Sequence, residues 1–341
     1  MATLGSNVLT MADWAKRLDP DGKTAKIVQM LGQTNEILTD MMFMEANNAT
    51  GHRVSVQTGL PDVYWRLMNQ GTPTSKQTVM QVDEGMGMLE AWSEVDCKEA
   101  ELAGNVGEFR LSEAEAFIEA MNQEMASTLF YGSTANPEEF VGFANRYNDL
   151  TADIGENILD AGGTGSDNCS IYLIGWGSNS CFGIFPKGSK AGLSHEDLGK
   201  VTVETTAGVG GNRMRAYQDH FTWDNGLVLK DWRYGARIAN IDVSDLTGLT
   251  GTQAITASTS IIKLMAKARG HLPTLQGIKP VFYANRTVLN NLQIIGLEKS
   301  SSAVTVQEGL NQFGDTILTT RFLGIPVRLV DALTEAEAQV T

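Results

Sequence analysis

The chain has 341 residues, 42% of them apolar and 19% charged, with a net charge of −14. That length and apolar share suffice for one large or two medium domains with a buried core. No apolar run approaches the roughly 20 residues of a membrane span, and the acidic balance argues against tight binding to nucleic-acid phosphates.

From the N-terminus, Met11 to Arg17 reads as a short helical turn and Pro20-Asp21-Gly22 as a turn. Ile27 to Met44 is apolar and rich in methionine, a helix that must dock on something. His52 to Thr58 and Thr78 to Val82 alternate as strands, with Gly71 to Ser75 between them as a loop tip. The two strands predict a long hairpin-like excursion, too polar to form a core alone and most stable when it lies on another subunit.

The strongest helix follows. Ser112 is placed to act as N-cap, with Glu115 three residues on to complete a capping box. Phe117, Met121, Met125 and Leu129 recur every fourth residue, with Ala114 and Ile118 beside them, which makes one apolar stripe. Tyr131-Gly132 ends the helix, glycine being suited to a left-handed C-terminus.

Past Gly142, a polar stretch runs to Cys169, with the flexible Ala161 to Ser166 inside it. Ser170 to Trp176 reads as a core strand, Cys181 to Gly188 as another closed by a turn, and Thr202 to Glu204 as a short one. Ala207 to Gly211 reads as a mobile loop, and Tyr217 to Tyr234 as a hairpin turning at Asp224-Asn225-Gly226. Ile255 to Arg269 is a helix closed by Gly270, Pro280 to Tyr283 a buried strand and Arg286 to Ile295 a helix. Phe322 to Val330 is a final strand broken at Gly324-Ile325-Pro326. Strands and helices mix without regular βαβ spacing, so the class is α+β.

Charge is unevenly spread. From Asp83 to Glu124 there are twelve carboxylates against Lys98 and Arg110, a net of −10. From Thr50 to Val82, Arg53, Arg66 and Lys76 face only Asp62, a net of +2. Two solvated faces are the ordinary meaning of such asymmetry. The sharper meaning is complementarity between copies, with Arg53, Arg66 and Lys76 of one chain lying over Asp83, Glu84, Glu90 and Glu94 of the next.

Motifs for chemistry are missing. Gly208 to Gly211 lacks the Gly-Lys-Ser/Thr ending of a phosphate loop. His52, His195, His220 and His271 have no ligand spacing, and His195-Glu196 lacks the second histidine of a zinc helix. No Gly-x-Ser-x-Gly elbow exists. Trp176, Trp223 and Trp232 read as core packing. Cys97, Cys169 and Cys181 are odd in number and read as reduced residues of a cytoplasmic product. Asn48 and Asn285 match a glycosylation pattern by chance, since the N-terminus lacks a signal peptide. No catalytic, cofactor or metal site is expected, and no membrane association. An enzyme with a distributed site is one alternative to a structural role.

The order of arm, β-excursion, capped helix, Phe130-Tyr131-Gly132 and Phe140-Val-Gly-Phe143 resembles tailed-bacteriophage major capsid proteins of the Hong Kong 97-type fold. Phe322 to Asp331 resembles the end of that family's main domain. Ile174 to Gly177, Gly183 to Gly188 and Trp223 to Asp242 resemble a subgroup, that of short-tailed phages of the Salmonella epsilon-fifteen type. The resemblance implies an N-arm and helix over 1–46, an extended loop over 47–95, and a peripheral domain over 96–150 with its spine helix at 112–131. It also implies an axial domain over 151–330 with returning peripheral strands, and a C-terminal tail over 331–341. It implies a shell of hexamers and pentamers around double-stranded DNA, assembled in the host cytoplasm and placed in the virion capsid. A decoration or cement protein and a portal are implied partners. The short upstream segment implies a separate scaffolding protein or none. DNA would be enclosed without specific binding, and a phage structural protein other than the main shell is the alternative within this resemblance. In the type member a loop lysine crosslinks to a neighbour; Lys76 stands at the matching tip, where a solvated or ion-paired role is expected.

Overall fold

The computed structural model describes residues 32–48, 50–102, 104–204, 213–247, 252–297, 304–310 and 316–341. The expected turns at Met11–Arg17 and Pro20–Gly22 and the loop Ala207–Gly211 lie outside them. The strands are β1 (Phe43–Glu45), β2 (Gly51–Gly59), β3 (Thr78–Gly85), β4 (Gly87–Asp96), β5 (Ile158–Asp160), β6 (Asn168–Trp176) and β7 (Cys181–Phe185). They continue as β8 (Ser194–Glu204), β9 (Arg213–Leu229), β10 (Gly235–Asp242), β11 (Lys279–Ala284), β12 (Val304–Leu310), β13 (Thr316–Phe322) and β14 (Ile325–Leu329). The longest helices are Val106–Tyr131, Thr252–His271 and Arg286–Leu297. Two compact units share the chain. One holds Met88–Met125 and Gly192–Asp224; the other holds Thr34–Gly87, Ala126–Ala191 and Asn225–Thr341.

The larger unit is built on one mixed sheet in the order β12-β13-β14-β11-β6-β7, with β10 pairing β6 and β5, and β1 pairing β7. Every residue of β6 is buried, which requires cover on both faces. Ile171 and Leu173 join Phe282, Met265, Ala268, Val288 and Leu292 in a core under the helices Thr252–His271 and Arg286–Leu297. The alternate residues Tyr172 and Trp176 meet Phe130 and Phe143 in an aromatic cluster, with ring centroids 5.1 to 6.4 Å apart. This two-sided alternation follows from the strand period.

In the smaller unit the strand order is β8-β9-β4. Val95, Ala100 and Phe109 form its buried cluster, with Val106 and Tyr217 against it.

The long helix departs from expectation at its start. It begins at Val106, so Ser112 lies inside it and is not its N-cap, and Glu115 completes no capping box. Asn105 caps instead: its Oδ1 accepts from the Glu108 N–H at 3.4 Å, while its Nδ2 donates to the Glu108 carboxylate at 3.1 Å. At 26 residues the helix is about 39 Å long. The stripe is only partly core. Met121, Met125 and Leu129 are buried, Phe117 is half-buried and stacks on Phe221 at 6.4 Å, and Ile118 is exposed.

The helix ends at Tyr131 as expected, but Gly132 is not left-handed. A Cβ there would meet the Phe140 carbonyl at 2.2 Å and the Thr128 carbonyl at 2.6 Å. Close backbone approach therefore demands glycine, since Gly142 N–H donates to the Gly132 carbonyl at 2.9 Å. Gly132→Ala should lower stability by on the order of 1–3 kcal/mol, read by chemical denaturation of the unassembled chain, because two carbonyls must move.

Four other expectations are corrected. Tyr217 to Tyr234 is not a hairpin: β9 runs unbroken from Arg213 to Leu229, and Asp224-Asn225-Gly226 lies within it. Gly226 serves close packing, since a Cβ would meet the Gly85 carbonyl at 2.8 Å. The actual partner of β9 is β8, which has 11 residues rather than three. Ile27 to Met44 is not one helix; its described part holds only the turn Ile37–Asp40 and then β1. The final strand is a hairpin of β13 and β14, turning on Leu323 and Gly324 at φ 47° and 85°.

Candidate assembly surfaces

β2 and β3 form an antiparallel arm in register from Gly51↔Gly85 to Gly59↔Thr78. Its root is fixed in the larger unit. Val54 packs with Ala46, Phe182, Ile184 and Val228, and His52 meets Phe182 edge-on at 5.4 Å. Arg146 donates to both oxygens of Glu84 at 2.7 Å and to the Leu227 carbonyl at 3.1 Å. Burial opposes the Arg146 charge, but the Glu84 carboxylate outweighs it and the guanidinium stays protonated. Farther out, Arg53 forms a two-bonded pair with Asp83 directly across the strands, at 2.6 and 2.8 Å. That hydrogen bond holds the Asp83 carboxyl below its ordinary range.

The tip, residues 60–77, has no regular structure and is exposed throughout. It is not merely polar. Leu60, Val63, Tyr64, Trp65, Leu67 and Met68 all face solvent, and Trp65 is fully exposed at 104%. Apolar clustering of this size marks a binding surface. The run Val63-Tyr-Trp-Arg-Leu-Met68 carried that information in the sequence. Neither strand alternation nor charge balance marks that run.

The predicted contact residues divide. Arg53 and Asp83 answer each other, and Glu84 is taken by Arg146. Glu90 lies 3.3 Å from His220, which stacks on Trp92 at 3.9 Å, and Glu94 accepts from Gln218 at 2.8 Å. Arg66 and Lys76 make no ion pair among the described residues.

Inside the smaller unit, Arg110 bridges Asp197 at 2.7 Å and Asp219 at 2.8 Å, and His195 approaches Asp219 at 2.9 Å. The Arg110 hydrogen bond holds Asp197 below its ordinary value of 3.8. A depressed carboxylate adds stability above its unfolded pKa and loses it as pH falls. Stability should therefore be level from pH 7 to about 4 as far as Asp83 and Asp197 are concerned, then fall below it. Thermal melts across that range check this.

The segment 331–341 is docked in the larger unit. Glu337 is buried and accepts from Arg237 at 2.8 Å, from Tyr131 at 2.6 Å and from Ser170. Arg237 also donates to the Tyr147 carbonyl at 2.7 Å. Asn240 holds Val340 through two bonds of 2.9 and 2.8 Å. No sequence pattern links Arg237 to Glu337, 100 residues apart.

Among the described residues no cluster of His, Cys, Asp and Glu could hold a metal ion, and no helix is long and apolar enough to cross a membrane. Cys97, Cys169 and Cys181 are all buried and free, and burial pushes the Cys169 thiol up to about 12.

A family model described as major capsid protein GP7 matches residues 19–341. A solved chain of bacteriophage Epsilon15 is 30% identical, with a TM-score of 0.76 and 100% of both chains covered. A chain of the bacteriophage JBD30 capsid is 11% identical with a TM-score of 0.49, covering 90% of this chain and 93% of its own. No curated protein matches.

Proposed function

This chain belongs to the GP7 family of major capsid proteins and has the Hong Kong 97-type capsid fold, and from that premise we propose how its parts build the shell. It forms a capsid shell from copies of itself, and its place is the virion capsid. The shell encloses the double-stranded DNA of a tailed phage in hexamers and pentamers assembled in the host cytoplasm. Membership in a structural family favours a non-enzymatic role.

Residues 1–46 serve as the N-arm, 47–95 as the extended loop over a neighbour, and 96–150 as the peripheral domain. Residues 151–330 make the axial domain with returning peripheral strands, and 331–341 the tail. The observation that carries this reading is the apolar tip around Trp65, which has no cover among the described residues and would gain one from a neighbour. Crossing arms add avidity to contacts that are individually weak. A decoration or cement protein and a portal complete the particle, with a separate scaffolding protein or none. The acidic balance keeps the enclosed DNA unbound.

The internal pairs leave Arg66 and Lys76 as the arm's cations for a neighbour's carboxylates. Reversing both to Glu should block shell formation by the purified chain, seen by sedimentation. If the acids of the long helix face DNA instead, that change leaves assembly intact. Lysines at Glu113, Glu119 and Glu124 would then reduce the DNA content of particles.

A further inference from the structure

The smaller unit contains a cavity of about 440 Å³ between the end of β4 and the start of β9. Lys98, Lys200, Arg213 and Arg215 line it with Asp96 and Glu101. Among the described residues, four cations line it with two carboxylates, the reverse of the surrounding sequence, where Asp83 to Glu124 carries a net of −10.

The placement follows from strand register. Tyr217 lies opposite Lys200, Arg215 opposite Thr202, and Arg213 opposite Glu204. Residues at 213, 215 and 217 share one face of β9, and Lys200 shares it from β8. Like charges gathered on one sheet face are destabilising unless something answers them. Inside the chain the answer is partial: Arg213 is not free, and Glu204 lies directly across the strands from it, so the open cations are Lys98 and Arg215. Glu101 lies 3.4 Å from the Lys200 ammonium, which also sits 5.1 Å from the Tyr217 ring. Asp96 accepts from the backbone N–H of Lys98 at 2.9 Å. The side chains of Lys98 and Arg215 make no ion pair among the described residues.

We propose that this cation-lined groove is an inter-subunit socket that receives carboxylates of a second copy of the chain. The proposal rests on the shell reading, because only a shell brings copies together at high local concentration. The occupant is argued from charge. At −14 per copy, a neighbour presents many more carboxylates than cations, and each shell contact must overcome like-charge repulsion. Lys98 and Arg215 in that socket convert the repulsion into a specific attraction and set the register of the contact.

The test compares three purified chains: wild type, Lys98→Gln with Arg215→Gln, and Lys98→Glu with Arg215→Glu. Thermal melts of unassembled protein check folding, and light scattering gives the concentration at which shells form. The charge-reversed chain should need at least about tenfold more protein than wild type, with the neutral chain between them. The neutral pair keeps the test open if the reversed pair fails to fold. Raising salt from about 0.1 to 1 M should weaken wild-type assembly more than that of the neutral chain, as the screening length falls from about 10 to 3 Å. Equal assembly of all three would overturn the socket. So would variant shells that form normally but hold less DNA, which would make the groove a phosphate site. A wild type that never assembles would remove the shell reading, and this proposal with it.

Discussion

Glu337→Ala should cost the chain about 3–5 kcal/mol, the cost of leaving one member of a buried ion pair without its partner. Arg237 and Glu337 each have side chains 5% exposed, so water cannot replace the lost charge. The same carboxylate satisfies Tyr131 and Ser170, so one truncation orphans three donors. A loss of that size is a large part of the whole stability of a domain, typically about 5–15 kcal/mol, and insoluble expression is an expected outcome. Tyr131→Phe removes one hydroxyl of the same network and should cost only about 1 kcal/mol. Chemical denaturation should order the chains as wild type, Tyr131→Phe, then Glu337→Ala. A Glu337→Ala chain as stable as wild type would show that the tail does not depend on this pair.

Trp65→Ser combined with Met68→Ser should leave the unassembled chain as stable as before and abolish shell formation at ordinary concentrations. Both side chains are already exposed, Trp65 at 104% and Met68 at 89%, so the isolated fold gains nothing from them. Surface changes of that kind stay within about 0.5 kcal/mol. On a neighbour each side chain would be worth roughly 1.5–3 kcal/mol of burial, and every copy in the shell repeats the contact. Melting temperature and sedimentation on the same samples separate the two effects. Normal shells from the double variant would mean that the tip lies free on the particle.

Period and punctuation made much of the architecture legible. The alternation at His52–Thr58 and Thr78–Val82 marked β2 and β3, and Ser170–Trp176 marked the central strand. The helices at Thr252–His271 and Arg286–Leu297 also matched their apolar period. The errors share a cause: local chemistry had two uses. Asp224-Asn225-Gly226 has the composition of a hairpin turn, yet Gly226 is small because Gly85 approaches it. Ser112 and Glu115 spell a capping box, yet Asn105 with Glu108 spells another seven residues earlier, and the cluster of Val95, Ala100 and Phe109 favours the earlier start. The Arg237–Glu337 pair and the Glu84–Arg146 anchor lacked any local pattern, because residues far apart in the chain supply each half. Gly71 to Ser75, the expected tip, is only part of an exposed segment that spans 60–77, and its Trp65-centred surface carries neither an alternation nor a charge pattern.

The most direct measurement is sedimentation with negative-stain electron microscopy of the purified chain, alone and co-expressed with its neighbouring genes. Closed shells, or rings of five and six, are the result predicted by the fold, the family and the uncovered arm. A monodisperse monomer under every condition would contradict the account, since Trp65 and its neighbours would then stand in solvent with nothing to meet.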